Sequence, residues 1–478
     1  MNSLYYVMYI AYLILMISLI FFDRKKPMHR FNWILFLVLL PGIGILLYFF
    51  SGSGRYIEYR SSKLLKRRGD SLKELEHIVQ IKTEQYADKP VSEASKFHQI
   101  YGGSNYTVKN EVDFFINGAS KFKHLFKDLR KAEDNIHVLY FTIHNDEIGQ
   151  ELVNILSEKA RQGVEVKLLY DSVGCFATLG HPFSLLNRLK KAGGRVVPIR
   201  PHLFDINYRN HRKIVIIDGK IGYTGGMNIG SNYKDGYRGK KPWRDTHIRI
   251  VGSAVHCIQK IFLSDWLLST SSKPPGFRND YSHYFPDVEV TSNLGVQIVA
   301  NGVYNKLMNN DIINLSYFNL ISRARKKVWI QTPYFVPSEI ILQTLKSLAS
   351  LGVDVRIMTS GLYGVGGPFH FHIANFYFRH LVQSGVRIFK YNGIMHAKTI
   401  LVDDNEVAIG TANLNIRSLE KDDELYAYIE SDEFASIYEA MYRLDLKACT
   451  EIDYEQFNQQ SLVSRACESV VSLFTPIA

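Results

Sequence analysis

The chain has 478 residues, of which 46% are hydrophobic and 22% charged, and its 57 Lys and Arg exceed its 46 Asp and Glu to give a net charge of +11. The hydrophobic fraction excludes a disordered protein, the ordinary Gly and Pro content excludes collagen-like sequences, and the length suits two or three domains. The positive charge indicates an anionic partner, such as nucleic acid, anionic lipid or a phosphate-bearing substrate. The four cysteines are scattered without CxxC spacing, which speaks against a zinc site or a disulfide framework.

The first fifty residues have the composition of a membrane segment. Residues 1–22 and 31–50 carry no charged side chain, and each stretch approaches the roughly 20 residues that cross a bilayer. No basic residue precedes the first stretch and a second apolar stretch follows at once, which argues against a signal peptide. We therefore expect a retained two-helix transmembrane hairpin over residues 1–50. Six Lys/Arg after the second stretch, against four in the loop, favour a cytoplasmic location for the rest of the chain in the cell membrane.

A polar juxtamembrane linker is expected over residues 51–105, and alternating α/β patterns follow it. The first set predicts a strand at 135–141, a helix at 151–161, a strand at 163–170, a helix at 186–192 and a strand at 194–199. The same order returns as a strand at 327–331, a helix at 338–351, a strand at 352–358, a helix at 376–383 and a strand at 385–390. The repetition predicts two similar α/β domains, at residues 106–290 and 291–478.

Each copy of the repeat ends in the same set of polar residues. The first copy has an H-x-K-x4-D motif and then a Gly-Gly pair and an asparagine: His211, Lys213, Asp218, Gly225-Gly226 and Asn228. The second copy has the counterparts 185 positions later: His396, Lys398, Asp403, Gly410-Thr411 and Asn413. One such motif is weak support for a function, but two copies with identical offsets are very unlikely to arise by chance.

The motif has a geometry that suits phosphate chemistry. On a strand, the His and Lys of H-x-K point to the same face, because side chains alternate with a period of two. Each copy thus offers an imidazole, an ammonium and an amide at the end of a buried sheet, and such a cluster binds an oxyanion. One neutral imidazole can attack phosphorus to form a phospho-histidine while the other protonates the leaving alkoxide. This chemistry requires no cofactor, and the sequence contains no usual metal-ligand spacing, so no metal is expected.

The duplicated H-x-K-x4-D with G-[GT]-x-N resembles the phospholipase D superfamily. The chain is more narrowly similar to the bacterial cardiolipin synthases, in the apolar N-terminal stretches and in several segments: Asp146-Glu-Ile-Gly149, Leu169-Tyr-Asp171, Trp243-Arg-Asp245-Thr-His247, Gln331-Thr-Pro-Tyr-Phe-Val-Pro337 and His396-Ala-Lys398. The resemblance implies two phospholipase D-like α/β domains that form one active site with pseudo-two-fold symmetry. It also implies transfer of a phosphatidyl group between two phosphatidylglycerol molecules, giving cardiolipin and glycerol.

The resemblance assigns a role to each motif residue. His211 is expected to be the nucleophile and His396 the acid/base, while Lys213, Lys398, Asn228 and Asn413 are expected to bind the phosphate. In the superfamily an acidic residue about thirty positions downstream orients each histidine, and Asp245 and Glu424 occupy those positions here. Asp218 and Asp403 belong to the motif and are included in the catalytic set, but we expect them to support the structure.

The expected partners are phosphatidylglycerol and anionic membrane lipids, without nucleic acid, and the sequence is compatible with a homo-oligomer. Three alternative functions stay open at this point. The first is a hydrolytic phospholipase D that uses water as acceptor, the second a membrane-anchored phosphodiesterase or nuclease, and the third a non-catalytic lipid-binding scaffold. The apolar N-terminal stretches speak against the nuclease, and the intact motifs speak against the scaffold.

The chain departs from the synthase pattern near its second motif. Where Asn-x-Glu-x-Asn is usual, it has Asp422-Asp-Glu424-Leu-Tyr426, and Asn415 stands where Asp is common. Because the glutamate is retained, we expect catalytic activity. These changes could alter which acceptor or lipid the protein prefers.

Overall fold

The structure is a computed structural model that describes residues 2–22, 30, 33–34, 37–38, 42–48, 55–86, 92–176, 182–199, 208–236, 243–270, 281–302, 311–361, 367–455 and 459–472. Helix α1 (Asn2–Phe22) covers the first apolar stretch, and the described part of the second includes helix α2 (Ile43–Leu47). Within the described ranges, no helix combines the length and hydropathy that a membrane crossing requires. The predicted transmembrane hairpin is therefore not confirmed.

The segment predicted as a polar linker is largely helical and packs against the rest of the chain. Helix α3 (Arg55–Glu84) lies on α9 (Ala254–Ser269), and its side chains Leu72, Leu75 and Val79 belong to the central hydrophobic core. Helix α4 (Glu93–Gly102) follows, and strand β1 (Tyr106–Thr107) pairs with β9 (Gly295–Ala300). A run of apolar residues at helical spacing on α3 explains this docking, because the helix has to bury that face.

The first half of the chain forms a mixed sheet with helices on its faces. Its strands are β2 (Asn110–Phe115), β3 (Asn135–Tyr140), β4 (Glu165–Asp171), β5 (Arg195–Ile199), β6 (Lys213–Ile217), β7 (Ile221–Gly225) and β8 (His247–Gly252). Its helices are α5 (Gly118–Arg130), α6 (Glu147–Arg161), α7 (Ser172–Phe176), α8 (Phe183–Lys191) and α9. The order of the strands across this sheet is β2-β8-β7-β6-β3-β4-β5.

The second half repeats this arrangement. Its further strands are β10 (Lys327–Gln331), β11 (Phe335–Val336), β12 (Asp354–Ser360), β13 (Arg387–Tyr391), β14 (Thr399–Val402), β15 (Glu406–Gly410), β16 (Leu414–Asn415), β17 (Leu425–Glu430) and β18 (Cys449–Ile452). Its helices are α10 (Ile312–Ser322), α11 (Glu339–Ser350), α12 (Gly367–Val382), α13 (Ile416–Glu420), α14 (Asp432–Leu446) and α15 (Leu462–Ser472). The order β9-β17-β15-β14-β10-β12-β13 matches that of the first sheet, with β1 and β18 added at the two edges.

The predicted elements of both copies are present, with some shifted ends. Helix α6 begins at Glu147, four residues earlier than expected, because the side chain of Asp146 accepts a hydrogen bond from Gly149 N (3.1 Å) and caps the helix. Helix α12 begins at Gly367, well before the predicted residue 376. Strand β1 lies in the second sheet, so the first sheet begins with β2 at Asn110 rather than at residue 106.

A central core joins the two halves. On β6, the side chains of Ile214 and Ile216 point into this core, whereas Val215 and Ile217 point to the outer helices of the first half. Helices α9 and α14 contribute to the same core, together with the inner faces of both sheets. The two halves therefore pack face to face, and the corresponding ends of their sheets meet in space.

Candidate active site

The histidines, asparagines and downstream carboxylates of both halves lie at corresponding strand ends of the two sheets. His211 lies two residues before β6, Asn228 follows β7, and Asp245 precedes β8. In the second half, His396 precedes β14, Asn413 follows β15, and Glu424 precedes β17. Because β8, β7 and β6 are neighbours in the first sheet, as β17, β15 and β14 are in the second, each half collects its residues into one cluster.

The carboxylate of Glu424 holds the ring of His211. Nδ1 of His211 lies 2.9 Å and 3.1 Å from the two carboxylate oxygens of Glu424, whose side chain is completely buried. The hydroxyl of Thr411 donates a hydrogen bond of 2.5 Å to the same carboxylate. With Nδ1–H directed at Glu424, the tautomer leaves a lone pair on Nε2, which is the atom required for attack or for proton transfer.

The ring of His396 is held in the same way by Asp245. Nδ1 of His396 lies 2.6 Å from Oδ2 of Asp245, and the other carboxylate oxygen accepts a hydrogen bond from Thr246 N (2.7 Å). Asp245 is completely buried and His396 is nearly so. In both sites a buried carboxylate contacts Nδ1 of the imidazole, from a glutamate at His211 and from an aspartate at His396.

The pairing between histidines and carboxylates crosses from one half to the other. The downstream spacing implied that Asp245 would orient His211 and that Glu424 would orient His396. The structure corrects this assignment, because Asp245 contacts His396 and Glu424 contacts His211. Each imidazole is therefore oriented by the half to which it does not belong, and neither half has a complete site by itself.

Two backbone contacts between the halves explain the crossing. His211 N donates to the carbonyl of Asp423 (2.9 Å), and His396 N donates to the carbonyl of Arg244 (2.7 Å). The residue after Asp423 is Glu424, and the residue after Arg244 is Asp245. The strand end that anchors each histidine backbone therefore also supplies the carboxylate for its ring.

The two motif lysines are buried beside the histidines. Nζ of Lys213 donates to the carbonyl of His211 (2.5 Å), and Nζ of Lys398 lies 2.8 Å from Nδ1 of His396. Burial lowers the pKa of Lys213 to about 7 and that of Lys398 to about 8. An anionic ligand between them would compensate their positive charge, so both lysines are suited to bind phosphate.

Burial also favours the neutral form of both imidazoles. It lowers the pKa of His211, against the opposing attraction of Glu424. Burial and the nearby Lys398 lower the pKa of His396 to about 4. At neutral pH both rings are therefore uncharged in the empty site, and a phosphate anion placed between them would raise both pKa values.

The motif asparagines complete the polar lining. Asn228 and Asn413 are buried, and within the described ranges neither side-chain amide oxygen has a hydrogen-bond partner. The amide nitrogen of Asn228 donates to the hydroxyl of Tyr233 (3.2 Å). A buried amide with unused hydrogen-bonding capacity is available to a polar ligand.

Aromatic rings surround the two histidines unequally. Phe141 lies edge-on to His211, with ring centroids 4.8 Å apart. His396 has two aromatic neighbours, Trp243 at 5.3 Å and Tyr233 at 5.8 Å. These rings give the two imidazoles unequal apolar surroundings, and sequence reasoning did not predict them.

The signature aspartates lie away from the histidines. Asp218 follows β6 at the end opposite to His211, and its carboxylate accepts hydrogen bonds from the backbone N–H groups of Glu133, Asp134 and Asn135. Asp403 does the same for residues 325–327 at the start of β10. Both aspartates adopt positive φ, 53° and 48°. In this placement neither carboxylate contacts a histidine within the described part of the chain, and the expected part of Asp218 and Asp403 as structural supports stays a prediction.

Two buried arginines that sequence reasoning did not single out join the halves beside the site. Nε of Arg244 donates to both carboxylate oxygens of Asp445 on α14 (2.9 and 3.0 Å), and its Nη1 donates to the carbonyl of Asp245 (2.8 Å). Arg212 forms an ion pair with Asp265 and donates to the carbonyl of Asn301. In the sequence both arginines are direct neighbours of motif residues, and this position is the signal that could have identified them.

The residues that depart from the synthase pattern have partners within the fold. Asp422 forms an ion pair with Arg417 (3.1 Å), and the hydroxyl of Tyr426 lies 3.2 Å from Nε2 of His98 on α4. The side chain of Asn415 caps α13 by accepting from Ser418 N (3.0 Å). These substitutions therefore leave the contact between Glu424 and His211 intact.

Two α/β halves with the same strand order, each giving one H-x-K motif to a shared site, define a phospholipase D-like protein. The fold is similar to that of a solved phosphatidylserine synthase from Haemophilus influenzae Rd KW20, with a TM-score of 0.63, 16% identity, and coverage of 81% of this chain and 100% of that chain.

The family model "Cardiolipin synthase, PLD-like domain" matches residues 125–236 and 317–445. A cardiolipin synthase of Geobacillus sp. (strain WCH70) is 35% identical over 473 residues, covering 95% of this chain and 90% of the relative. One from Clostridium perfringens (strain SM101 / Type A) is 34% identical over 468 residues, covering 95% of both. The chain belongs to the cardiolipin synthase family of phospholipase D-like proteins.

Proposed function

We propose that the protein is a phosphatidyltransferase that converts two phosphatidylglycerol molecules into cardiolipin and glycerol. The observation that carries this proposal is the pair of carboxylate-held histidines in one buried site, in a chain related to cardiolipin synthases over 95% of its length. Two imidazoles with free Nε2 atoms suit a double displacement at phosphorus, because one attacks while the other manages the proton.

In the first step, Nε2 of His211 attacks the phosphorus of one phosphatidylglycerol. The bond from phosphorus to the glycerol headgroup oxygen breaks, and His396 gives its proton to that oxygen, so that glycerol leaves. The product is a phosphatidyl-histidine. His396 carries this proton only when the bound phosphate diester raises its pKa, because burial and Lys398 keep the empty-site pKa at about 4.

In the second step, the headgroup hydroxyl of another phosphatidylglycerol attacks the same phosphorus. His396 removes the hydroxyl proton, the bond to His211 breaks, and cardiolipin is released. Lys213, Lys398, Asn228 and Asn413 stabilise the negative charge on the phosphate oxygens in both steps. Asp245 and Glu424 act as positioning residues that fix the tautomer and direction of the imidazole they contact.

We further propose that residues 1–50 attach the protein to the cell membrane as a two-helix hairpin, with the catalytic halves on the cytoplasmic side. Helix α1 supports the attachment, because its residues from Leu4 to Ile17 include exposed apolar side chains and no charged one. Such a surface is stable in contact with lipid chains. Attachment also brings the site to its lipid substrates.

The function is tested by supplying the detergent-solubilised protein with phosphatidylglycerol alone and analysing lipids and released glycerol. We expect cardiolipin and an equal amount of glycerol, both absent in the His396→Ala variant. His77→Ala, which changes an exposed histidine on α3, is the matched control and should retain full activity. Phosphatidic acid as the main product would instead identify a hydrolytic phospholipase D and overturn the proposal.

A further inference from the structure

A cavity of about 210 Å³ lies on the second half of the protein, outside the shared histidine site. It lies between helix α12, strand β13, the edge strand β18 and the C-terminal helix α15. The residues that line it are Phe371, His372, Asn375, Lys390, Thr450, Ile452, Gln460 and Ser464. This volume is large enough for several water molecules or for a phosphate group.

A partly buried ammonium group forms one wall of the cavity. Nζ of Lys390 lies 4.3 Å from the centre of the Phe371 ring and 3.3 Å from the side-chain oxygen of Asn375. Burial lowers the pKa of Lys390 to about 8, so the lysine is only weakly compensated by its present neighbours. An ammonium in such a position gains most from a negatively charged partner.

The cavity wall carries further polar groups that are able to donate hydrogen bonds. Nδ1 of His372 is buried, and within the described ranges it has no hydrogen-bond partner. The side-chain oxygen of Gln460 accepts from Arg379 (2.6 Å), which leaves the amide nitrogen of Gln460 for the cavity. Ser464 and Thr450 add two hydroxyl groups. This lining resembles the donor-rich environment in which proteins bind oxyanions.

The charge around the cavity is positive. Glu468, the acidic residue whose field reaches Lys390, is already paired with Arg379 at 2.9 Å. Glu468 therefore compensates Lys390 only through its field, and none of the described residues that line the cavity itself is acidic. A cation would be repelled by Lys390, and an apolar ligand would leave the donors of the wall unpaired.

We propose that this cavity is a second binding site, which takes the phosphate group of an anionic ligand with Lys390 and His372 as its principal donors. The chemistry is shared by free phosphate and by the phosphodiester of a lipid headgroup. The surface beside the cavity is compatible with a lipid, because Leu462, Val463 and Val470 on α15 are exposed by 82%, 73% and 56%. The site is separate from the catalytic histidines, and its existence does not depend on the reaction that they perform.

Calorimetric titration of the detergent-solubilised full chain tests the proposal in two arms. One arm uses inorganic phosphate, and the other uses short-chain, water-soluble phosphatidylglycerol in the His396→Ala background, in which turnover is blocked. Lys390→Gln and Ser464→Glu are compared with the parent protein in each arm. Lys190→Gln, which alters an exposed lysine on α8, is the matched control. All variants of one arm carry the same catalytic site, so a difference between them arises at the cavity.

We expect Lys390→Gln and Ser464→Glu each to weaken binding at least tenfold in one or both arms, with Lys190→Gln unchanged. Loss in the phosphate arm identifies free phosphate as a ligand, and loss in the lipid arm alone identifies the headgroup phosphodiester. Ser464 lies near the start of a surface helix, so the Ser464→Glu protein provides a folded test even if Lys390→Gln destabilises β13. Unchanged binding in both arms for the Ser464→Glu variant would overturn the proposal.

Discussion

The two histidine sites of the protein are built on the same plan, but they differ in their surroundings. In both, a carboxylate of the opposite half holds Nδ1, and a lysine of the same motif lies alongside. Around His211 the carboxylate is shared with the hydroxyl of Thr411, and one phenyl ring covers the imidazole. Around His396 the lysine reaches the ring itself, and two aromatic rings lie beside it.

The difference shows how a duplicated fold obtains two chemical roles. A symmetric pair of imidazoles would give both the same proton affinity, and neither would be committed to attack or to proton transfer. Here the common framework fixes both ring positions, while the local charges and aromatic groups make the two environments unequal. The proposed division gives the attack to His211 and the proton transfer to His396.

The largest effect is expected from removal of either imidazole. His211→Ala and His396→Ala should each lower cardiolipin formation by roughly four orders of magnitude or more, because each removes an essential bond-forming or proton-carrying group. Turnover is measured by release of glycerol from phosphatidylglycerol. Near-normal turnover in either variant would refute a mechanism that needs both histidines.

The crossed carboxylates should give the next largest effect. Asp245→Asn and Glu424→Gln are expected to lower kcat by about 100-fold or more, because the amides no longer favour the required tautomer of the ring. Lipid binding should change little. The crossing itself is tested with a phosphatidyl ester of p-nitrophenol, whose leaving group needs no proton.

With that ester, the first turnover of p-nitrophenol release, measured as a burst, should be largely restored in Asp245→Asn, since Asp245 acts through the acid His396 and only the second step still needs that residue. Glu424→Gln should stay slow, since Glu424 acts through the nucleophile His211. The reverse pattern would mean that each carboxylate serves the histidine of its own half, contrary to the contacts in the structure.

The buried ion pair between Arg244 and Asp445 should contribute more to stability than an exposed ion pair does. Breaking one partner of a buried ion pair costs about 3–5 kcal/mol, so Asp445→Asn should lower the free energy of unfolding by that order. The control is Glu151→Gln, which breaks the exposed pair between Arg130 and Glu151 and should cost about 1 kcal/mol or less. Denaturant titration measures both values, and equal values would contradict a role of Asp445 in joining the halves.

The pH dependence of kcat/KM should follow the protonation of Lys213 and Lys398. Their pKa values of about 7 and about 8 mean that the free enzyme loses positive charge as the pH rises through this range. We expect kcat/KM to fall by at least about tenfold from pH 7.5 to pH 9, and kcat to fall only at higher pH, because bound phosphate raises both pKa values. In Lys398→Arg, whose guanidinium stays charged, part of the fall should disappear. A profile that is flat to pH 9.5 would contradict the assignment.

The smallest effect on the chemistry is expected at the signature aspartates. Asp218→Asn and Asp403→Asn weaken the hydrogen bonds that close the start of β3 and β10, and each should cost about 1–2 kcal/mol of stability. Asparagine tolerates the positive φ at these positions, so backbone strain does not add to the cost. The kcat of the folded protein should change by no more than about twofold. A loss as large as that of Asp245→Asn would return these residues to the catalytic set.

The sequence was sufficient to predict the elements that depend on local pattern. The strands 135–141 and 327–331 are apolar runs bounded by polar residues, and the structure confirms both as β3 and β10. The motif residues His211, Lys213, His396 and Lys398 were identifiable because duplication repeats their spacing. The structure places the lysine of each motif beside its histidine, although both histidines lie before their strands and Lys213 contacts the backbone carbonyl of His211.

Contacts between distant parts of the chain were not predictable in this way. Spacing along the sequence indicated that Asp245 and Glu424 matter, but it could not tell which histidine each one meets, because that depends on how the halves face each other. The docking of α3 and the pairing of β1 with β9 were unpredictable for a related reason. The segment is polar overall, and only a narrow set of its residues is buried. The cavity at Lys390 depends on the packing of α15 on α12, and these two helices are far apart in the sequence.

The most direct test of the divided roles is to trap and locate the covalent intermediate. The His396→Ala variant is mixed with the p-nitrophenyl ester, quenched, digested and analysed by mass spectrometry for a phosphatidyl-histidine. The account predicts an adduct on His211 that accumulates, because the first step needs no acid with this ester and the second step lacks its base. Absence of any adduct, or an adduct on His396 in the His211→Ala variant, would contradict it.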